Sequence, residues 1–283
     1  MGRIIDFHAH LGKVIYGYPA LTVDKLLKFM DRRGIEKSVI LPLVAPEEED
    51  YYYTTEQAVE DCAKHADRLI PFANIDPRRG SNDGAYDFYP VLKEYADMGC
   101  RGLGEILANV PANDPRMKAL YRACGMLNFP VVFDFRMAIF RTGVPEPAGL
   151  PNLEECLREF PGTVFVGHGP AWWAEISADV KQSADNAYPQ GKIVPTGRID
   201  YLLEKYPNMY ADLSAHSGYN ALTRDKDYSK KFMRKHYRKL LFGTDWFVRN
   251  EKTLMIDLIR SMKLPEEIEE SVFSKNARTL LGI

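Results

Sequence analysis

Ile4-Ile5-Asp6-Phe7-His8-Ala9-His10 decides the reading of this chain, because it sets two imidazoles at the end of an apolar strand at the N-terminus. Strand side chains alternate faces, so the pattern predicts Asp6, His8 and His10 on one side and Ile5, Phe7 and Ala9 on the other. Neutral imidazole is the commonest protein ligand for zinc and similar ions. Two imidazoles on one rigid strand supply half of a tetrahedral shell with little chain entropy left to lose.

Working outward, three further apolar runs deliver a donor where strand gives way to glycine-rich loop. They are Gly102-Leu103-Gly104-Glu105, Thr163-Val164-Phe165-Val166-Gly167-His168-Gly169 and Leu240-Leu241-Phe242-Gly243-Thr244-Asp245. A single His or Asp at such a place is usually a cap or a hydrogen-bonded structural residue. Oxygen and nitrogen donors recurring at successive strand ends point to a shared centre.

Short β-rich runs alternate with amphipathic helical stretches about eight times, the pattern of a parallel sheet with crossover helices. The predicted strands are 4–9, 37–43, 69–75, 100–106, 130–135, 163–167, 209–213 and 239–243. A helix is predicted from a Thr22 cap through Arg33, ended by Gly34, and another begins at Thr55 and runs through His65. Others fall near 87–98, 115–126 and 153–160. In 283 residues this predicts an α/β fold, a single-domain (β/α)8 TIM barrel over 1–283. An open doubly wound sheet would be expected to bind a nucleotide, and no Gly-x-Gly-x-x-Gly follows the first strand.

Two connections exceed the usual two to six residues, near 44–54 and 172–196, and both follow strand C-termini, where barrel enzymes place their sites. Tyr51-Tyr52-Tyr53 and Trp172-Trp173 within them either line an aromatic pocket or cover the barrel mouth or an oligomer interface. Asp212, Ser214 and His216 follow the seventh strand at alternate positions, which aims them together inward; the other reading of His216 is a hydrogen-bonded loop histidine. Lys13, Arg136, Arg141, Arg198 and Arg224 lie beyond strand ends, which suggests a carboxylated substrate. His65 and His236 read as structural or surface residues.

Composition narrows the class. The chain has 37 basic and 39 acidic residues and a formal charge of −2, with no electrostatic footprint for nucleic acid or an anionic membrane. No run of about 18 apolar residues predicts a membrane span. Met1-Gly2-Arg3 leads straight into the first strand, leaving no room for a signal peptide, so the expected location is cytoplasmic. Cys62, Cys100, Cys124 and Cys156 are widely spaced without a Cys-x-x-Cys pair and read as reduced, buried thiols, not zinc ligands.

The set of motifs resembles the amidohydrolase superfamily, in particular its amidohydrolase-related (amidohydrolase 2) branch of TIM-barrel metal-dependent hydrolases and decarboxylases. The resemblance spans nearly the whole chain. It rests on Asp6-x-His8-x-His10, Gly104-Glu105, His168-Gly169, Phe242-Gly243-Thr244-Asp245 and the closing Asn276-Ala277-x-x-Leu280-Leu281-Gly282. It implies His8 and His10 as metal ligands and Asp245 as both ligand and general base. By the same resemblance His168 is a ligand or a near-metal acid/base, and Glu105 stands where some members place a ligating carboxylate. The fifth strand of this family typically ends in a ligating His, whereas here it carries Asp134. That residue is a substitute ligand, a partner that holds Arg136, or a structural side chain.

The implied cofactor is one divalent metal ion, zinc first and manganese as the alternative, with no organic cofactor. The implied activity is hydrolysis of an ester, lactone or amide in a small polar, carboxylated molecule, with Arg136, His216 and Trp172 as substrate-binding residues. Non-oxidative decarboxylation on the same scaffold is the runner-up, and a catalytically silent ligand-binding barrel the third reading. Exposed aromatics suggest a homo-oligomer.

Overall fold

Residues 4–47, 50–136, 143–180, 188–246 and 254–283 are described by the computed structural model; Arg141 lies outside them. In chain order the elements are β1 Ile4–Ala9, α1 Val23–Arg33, β2 Ile35–Ile40, α2 Thr55–Ala63, β3 Leu69–Pro71, α3 Tyr89–Asp97, β4 Leu103–Ile106, α4 Pro115–Leu127, β5 Val131–Arg136 and β6 Val144–Pro145. There follow α5 Pro151–Glu159, β7 Phe165–His168, α6 Pro170–Ala174, α7 Arg198–Lys205, β8 Met209–Asp212, α8 Ala215–Thr223, α9 Lys226–His236, β9 Leu240–Leu241, α10 Leu254–Ser261, α11 Glu266–Glu270 and α12 Asn276–Leu281. Local chemistry sets several ends. Gly34 closes α1 in the left-handed conformation at φ 72°, and Thr54 with Gln57 forms a reciprocal capping box at the start of α2, one residue before the predicted start.

All strand pairs are parallel, in the orders β1-β2-β3 and β4-β5-β7-β8-β9, with the two-residue β6 beside β5. Bridges close the two sheets into one ring. Ala73 pairs with Leu103 between β3 and β4, Ala9 pairs with Trp246, and Phe7 N–H donates to the Phe242 carbonyl at 2.8 Å between β9 and β1. The chain is therefore a single (β/α)8 TIM barrel, with the predicted strand runs displaced by a few residues at their ends.

Ile5, Phe7, Val39, Leu41, Ile70, Phe72, Val132, Val166 and Leu241 come from six different strands or their ends yet meet in one apolar cluster, which fills the barrel interior. Their neighbours along the strands, among them Val131, Phe133, Phe165, Ala211 and Leu240, belong to the cluster shared with the helices. This assignment corrects the expected facing of β1. Asp6 pairs with Ser38 and Ala9 with Ile40, so three residues of β1 advance against two of β2. The extra residue breaks the alternation. Phe7 and His8 both serve the inside of the barrel, while Asp6 turns away from His8 and His10 toward Ser38 and Thr244.

Trp172 and Trp173 also depart from expectation. They lie in the short helix α6 and are 0% and 2% exposed. The Trp172 ring lies where a side chain on Gly167 would stand and stacks on Phe135 at 6.4 Å, so it is core and not a pocket wall.

Candidate metal centre

The C-terminal ends of the strands bring the polar residues together. His8 and His10 come from β1, Glu105 from β4, Asp134 from β5, His168 from β7, Asp212 from β8, and Asp245 from the turn after β9. Each placement is enforced by neighbours that need no metal. Asn74 Nδ2 donates to the carbonyls of Pro42 and Glu105 at 2.7 and 2.6 Å, tying the β4 end to its neighbours. Asp245 has φ +53°, a costly conformation for a residue with a side chain. It is held there by its own N–H donating to the His8 carbonyl at 2.7 Å. Thr244 helps, donating from N–H and Oγ1 to the two Asp6 oxygens at 2.8 Å each.

The histidine tautomers follow from their partners. His10 Nδ1 lies 2.9 Å from the Leu41 carbonyl, an acceptor only, and His8 Nδ1 lies 2.7 Å from Asp212 Oδ2. Both Nδ1 atoms donate, so in the neutral rings both Nε2 atoms carry lone pairs. Those two atoms are 3.1 Å apart, a contact that repels unless a cation or an added proton lies between them.

The remaining distances test the fit of a cation. Glu105 Oε2 is 3.2 Å from His8 Nε2 and 3.3 Å from His10 Nε2; Asp245 Oδ1 is 3.6 and 3.2 Å from the same atoms. Four ligands about 2.0–2.1 Å from a shared tetrahedral centre stand roughly 3.3–3.4 Å from one another. The observed edges bracket that value, and the donors are two imidazoles and two carboxylates, a set that suits zinc or manganese.

A second trio, Glu105, Asp134 and His168, adjoins the first and shares Glu105. His168 Nε2 lies 3.5 Å from Glu105 Oε1 and 3.9 Å from Asp245 Oδ2. Its Nδ1 lies 3.0 Å from both Asp212 Oδ2 and Ser214 Oγ. Asp212 on β8 thus receives one nitrogen from each of two histidines, His168 on the adjoining β7 and His8 on β1, whose rings lie 4.5 Å apart.

Mutual charge governs ionisation here. Burial opposes charge on His8, but Glu105 and Asp212 outweigh it and raise its pKa to about 10; Asp245 and Glu105 do the same for His10, also to about 10. His168 is raised to about 9, burial and His8 being overcome by Asp212 and Glu105. Glu105 and Asp212 are held well below the carboxylate range despite burial, Glu105 chiefly by His8 and His10, Asp212 by His8 and His168. Asp134, buried beside Glu105, is pushed up to about 7.

The other expected site residues scatter. Arg136, two positions beyond Asp134, donates from Nη2 to Asn109 Oδ1 at 2.7 Å. His216 does not join Asp212 and Ser214, because helix α8 starts at Ala215 and ends the strand alternation; it is exposed, 5.0 Å from the Tyr188 ring. Tyr188, which the sequence did not single out, feels burial and then the charges of Asp134 and Asp245, which raise its pKa. Tyr188 thus lies within electrostatic reach of the centre, with His216 beside it. Lys13 stacks on Tyr51, Arg198 is committed to Glu154 and the Gly149 carbonyl, and Arg224 lies near Asp179 and Asp225. His236 is buried against Asp200, a structural pair.

A closed eight-stranded barrel with histidines and carboxylates converging at the C-terminal strand ends defines the class of metal-assisted barrel enzymes. Within it the chain belongs to the amidohydrolase family Amidohydro_2, whose family model matches residues 5–283. No curated protein matches the chain. Solved structures similar in fold include a 2,6-dihydroxybenzoate decarboxylase from Rhizobium, 15% identical, covering 100% of this chain and 99% of that one at a TM-score of 0.62. A probable 2-pyrone-4,6-dicarboxylic acid hydrolase from Acinetobacter baumannii, with citric acid bound, is 15% identical over 99% and 100% of the two chains at 0.65. A dihydroxybenzoic acid decarboxylase from Polaromonas, with manganese and the inhibitor 2-nitroresorcinol, is 13% identical over 100% and 97% at 0.59. The family thus places the chain among hydrolases and decarboxylases. No helix among the described residues is long and apolar enough to cross a membrane.

Proposed function

We propose that this chain is a metal-dependent hydrolase acting on an ester, lactone or amide bond of a small polar, carboxylated molecule. The observation that carries this reading is the four-donor set of His8, His10, Glu105 and Asp245 at tetrahedral edge lengths. A divalent ion held there, zinc first and manganese second, supplies Lewis acidity toward a carbonyl and makes nearby water more acidic.

Asp245 is the general base. One of its oxygens faces His10 and the other His168, and its side chain keeps 16% of its surface open to solvent, so it reaches both water and the reacting group. It takes the proton of the attacking water and returns it to the leaving oxygen or nitrogen. His168, charged at neutral pH and oriented by Asp212, directs Nε2 toward the developing oxyanion. Arg136 at the rim meets an outlying carboxylate of the substrate, and His216 with Tyr188 borders the mouth. Exposed Tyr16, Tyr18, Tyr51 and Tyr52 support a homo-oligomer, and the near-neutral charge favours a small-molecule substrate over nucleic acid.

Decarboxylation is the second reading, favoured by the fold likeness to two decarboxylases. Against it stands Asp245, whose part-open carboxylate suits deprotonation of an attacking water, a step that hydrolysis needs and decarboxylation does not.

A panel of lactones, esters and amides, run beside aromatic and aliphatic acids with zinc- or manganese-loaded protein, tests the proposal. Acid release from a neutral carbonyl substrate supports hydrolysis. Carbon dioxide release, with solvent deuterium at the vacated carbon, would overturn it in favour of the decarboxylase. Ligand binding without any turnover would leave a silent barrel.

A further inference from the structure

We propose that the end of the barrel opposite the metal centre carries a binding site for a small amphipathic carboxylate, a compact apolar body ending in one carboxyl group. The site is a cavity of about 260 Å3 at the N-terminal ends of β2, β3 and β4. Its ligand needs neither the metal nor the hydrolytic reading above.

The strand ladder places two cations on either side of β3. Ser38 N–H donates to the Arg68 carbonyl at 2.9 Å and Arg101 N–H to the Pro71 carbonyl at 3.0 Å, which sets Lys37 on one flank of β3 and Arg101 on the other. Leu69, 1% exposed, lines the cavity between them, with Ala63 from the end of α2 and Met98 from the end of α3.

Charge and surface then select the ligand. Lys37 and Arg101 are the only charged side chains that line the cavity. The nearby carboxylates are already committed, Asp31 to Arg68 and Glu36 to Arg278. Lys37 donates from Nζ to the Asp67 carbonyl, which directs the ammonium without neutralising it. The exposed Arg101 side chain makes no ion pair among the described residues, and its planar fork matches the two oxygens of a carboxylate. Met98 and Ile283, 44% and 42% exposed, add apolar surface to the same lining, and a ligand with an apolar body would cover it. Pockets for drug-sized ligands run from about 300 to 1,000 Å3, so the occupant is smaller, an aromatic or branched aliphatic monocarboxylate. A purely polar anion would leave Met98 and Ile283 wet.

The test uses 4-fluorobenzoate as the probe, followed by fluorine nuclear magnetic resonance on the full chain. Metal-stripped His8→Ala, run beside wild type, keeps the metal centre from capturing the probe. Saturable binding with a Kd of about 1 mM or tighter should persist in that protein. In the same background Arg101→Ala should weaken binding by about tenfold or more, the loss of one charge-assisted contact. Ala63→Phe should abolish it by filling the cavity, with wild-type circular dichroism. The neutral 4-fluorobenzamide should bind about tenfold more weakly than the acid. No saturation up to about 10 mM in metal-stripped His8→Ala would overturn the proposal. So would affinity unchanged by Arg101→Ala and Ala63→Phe, or equal affinity for acid and amide. Each of these outcomes leaves the hydrolase reading intact, because that reading is tested by turnover.

Discussion

Asp212 and His8, 204 residues apart in sequence, are joined by a 2.7 Å contact between carboxylate Oδ2 and ring Nδ1, and the same oxygen lies 3.0 Å from His168 Nδ1. One buried carboxylate thereby fixes the tautomer and direction of an imidazole in each donor group. Ser214 adds its N–H to Oδ1 at 3.0 Å and its hydroxyl to Oδ2 at 2.5 Å, so the carboxylate itself is held. Removal of such an outer partner typically weakens metal binding 10–100-fold. Asp212→Ala should weaken it by about 100-fold or more, since two histidines lose their anchor, and Asp212→Asn by less, since an acceptor oxygen remains. Competition with a chelator of known affinity checks this; unchanged affinity in Asp212→Ala would show that the histidines hold their directions without it.

Metal should also appear as stability. An ion that binds the folded chain alone stabilises it by about 4 kcal/mol at a thousand times its Kd, which for a barrel of this size corresponds to a Tm rise of order 10 °C. The Nε2 atoms of His8 and His10, 3.1 Å apart, are the pair relieved by the ion. Chelator treatment should lower the Tm of wild type and leave His10→Ala unmoved, as read by differential scanning calorimetry. Equal shifts in both proteins would detach the stabilisation from this pair.

Away from the centre, Glu146 gives a pH dependence of definite sign. Burial pushes it from its ordinary 4.5 to about 7, although the Asn152 and Leu153 N–H groups donate to its Oε1 at 2.7 and 3.0 Å. Between those values the folded chain holds a proton that the unfolded chain has released, so this group's contribution is greatest below about pH 4.5 and declines as pH rises to 7. The slope is at most about 1.4 kcal/mol per pH unit, roughly 3 kcal/mol in all. Glu146→Gln keeps the acceptor and loses the titration. Above pH 7 the variant should therefore be the more stable protein, and the difference should vanish near pH 4. Denaturant melts of both at matched pH isolate the group from the metal centre; parallel curves would contradict the assignment.

The sequence carried the barrel because eight apolar runs with period-two or continuous patterns are separated by helices with readable ends such as Thr22 and Gly34. It also marked most of the residues that the barrel gathers, since each stands at the end of an apolar run, Glu105, His168 and Asp245 with a glycine close by. It could not show the slip between β1 and β2. A bulge depends on the partner strand, and Asp6 therefore seemed to share a face with His8 when it in fact clamps Thr244. Trp172 read as a pocket residue because a long connection hides a five-residue helix, and burial is a property of what packs on top. Asp212 was visible at a strand end, but its grip on two histidines arises only when β1 and β7 close around β8. Tyr188 was signalled only by its place in the long 172–196 connection, for nothing nearby in sequence connects it with Asp134 or Asp245.

Gly169 supplies the sharpest test of how the second donor group is built. Its backbone sits at φ 91° and ψ 171°, a region essentially reserved for glycine, and a Cβ there would overlap Asp134 Oδ1 and come within 2.9 Å of the Phe135 nitrogen. The carboxylate of Asp134 occupies the room that the missing side chain leaves. Gly169→Ala should push Asp134 away from Glu105 and His168, destabilise the chain by about 1–3 kcal/mol, and lower the metal content of the reloaded protein. Gly34→Ala is the control, because φ there is also positive at 72° yet nothing lies within 4 Å of an added Cβ. It should lower stability by about 1 kcal/mol and leave metal content at the wild-type value. Equal metal loss in the two variants, measured by mass spectrometry on reloaded protein, would trace the effect to general loosening of the barrel rather than to the space that Gly169 keeps for Asp134.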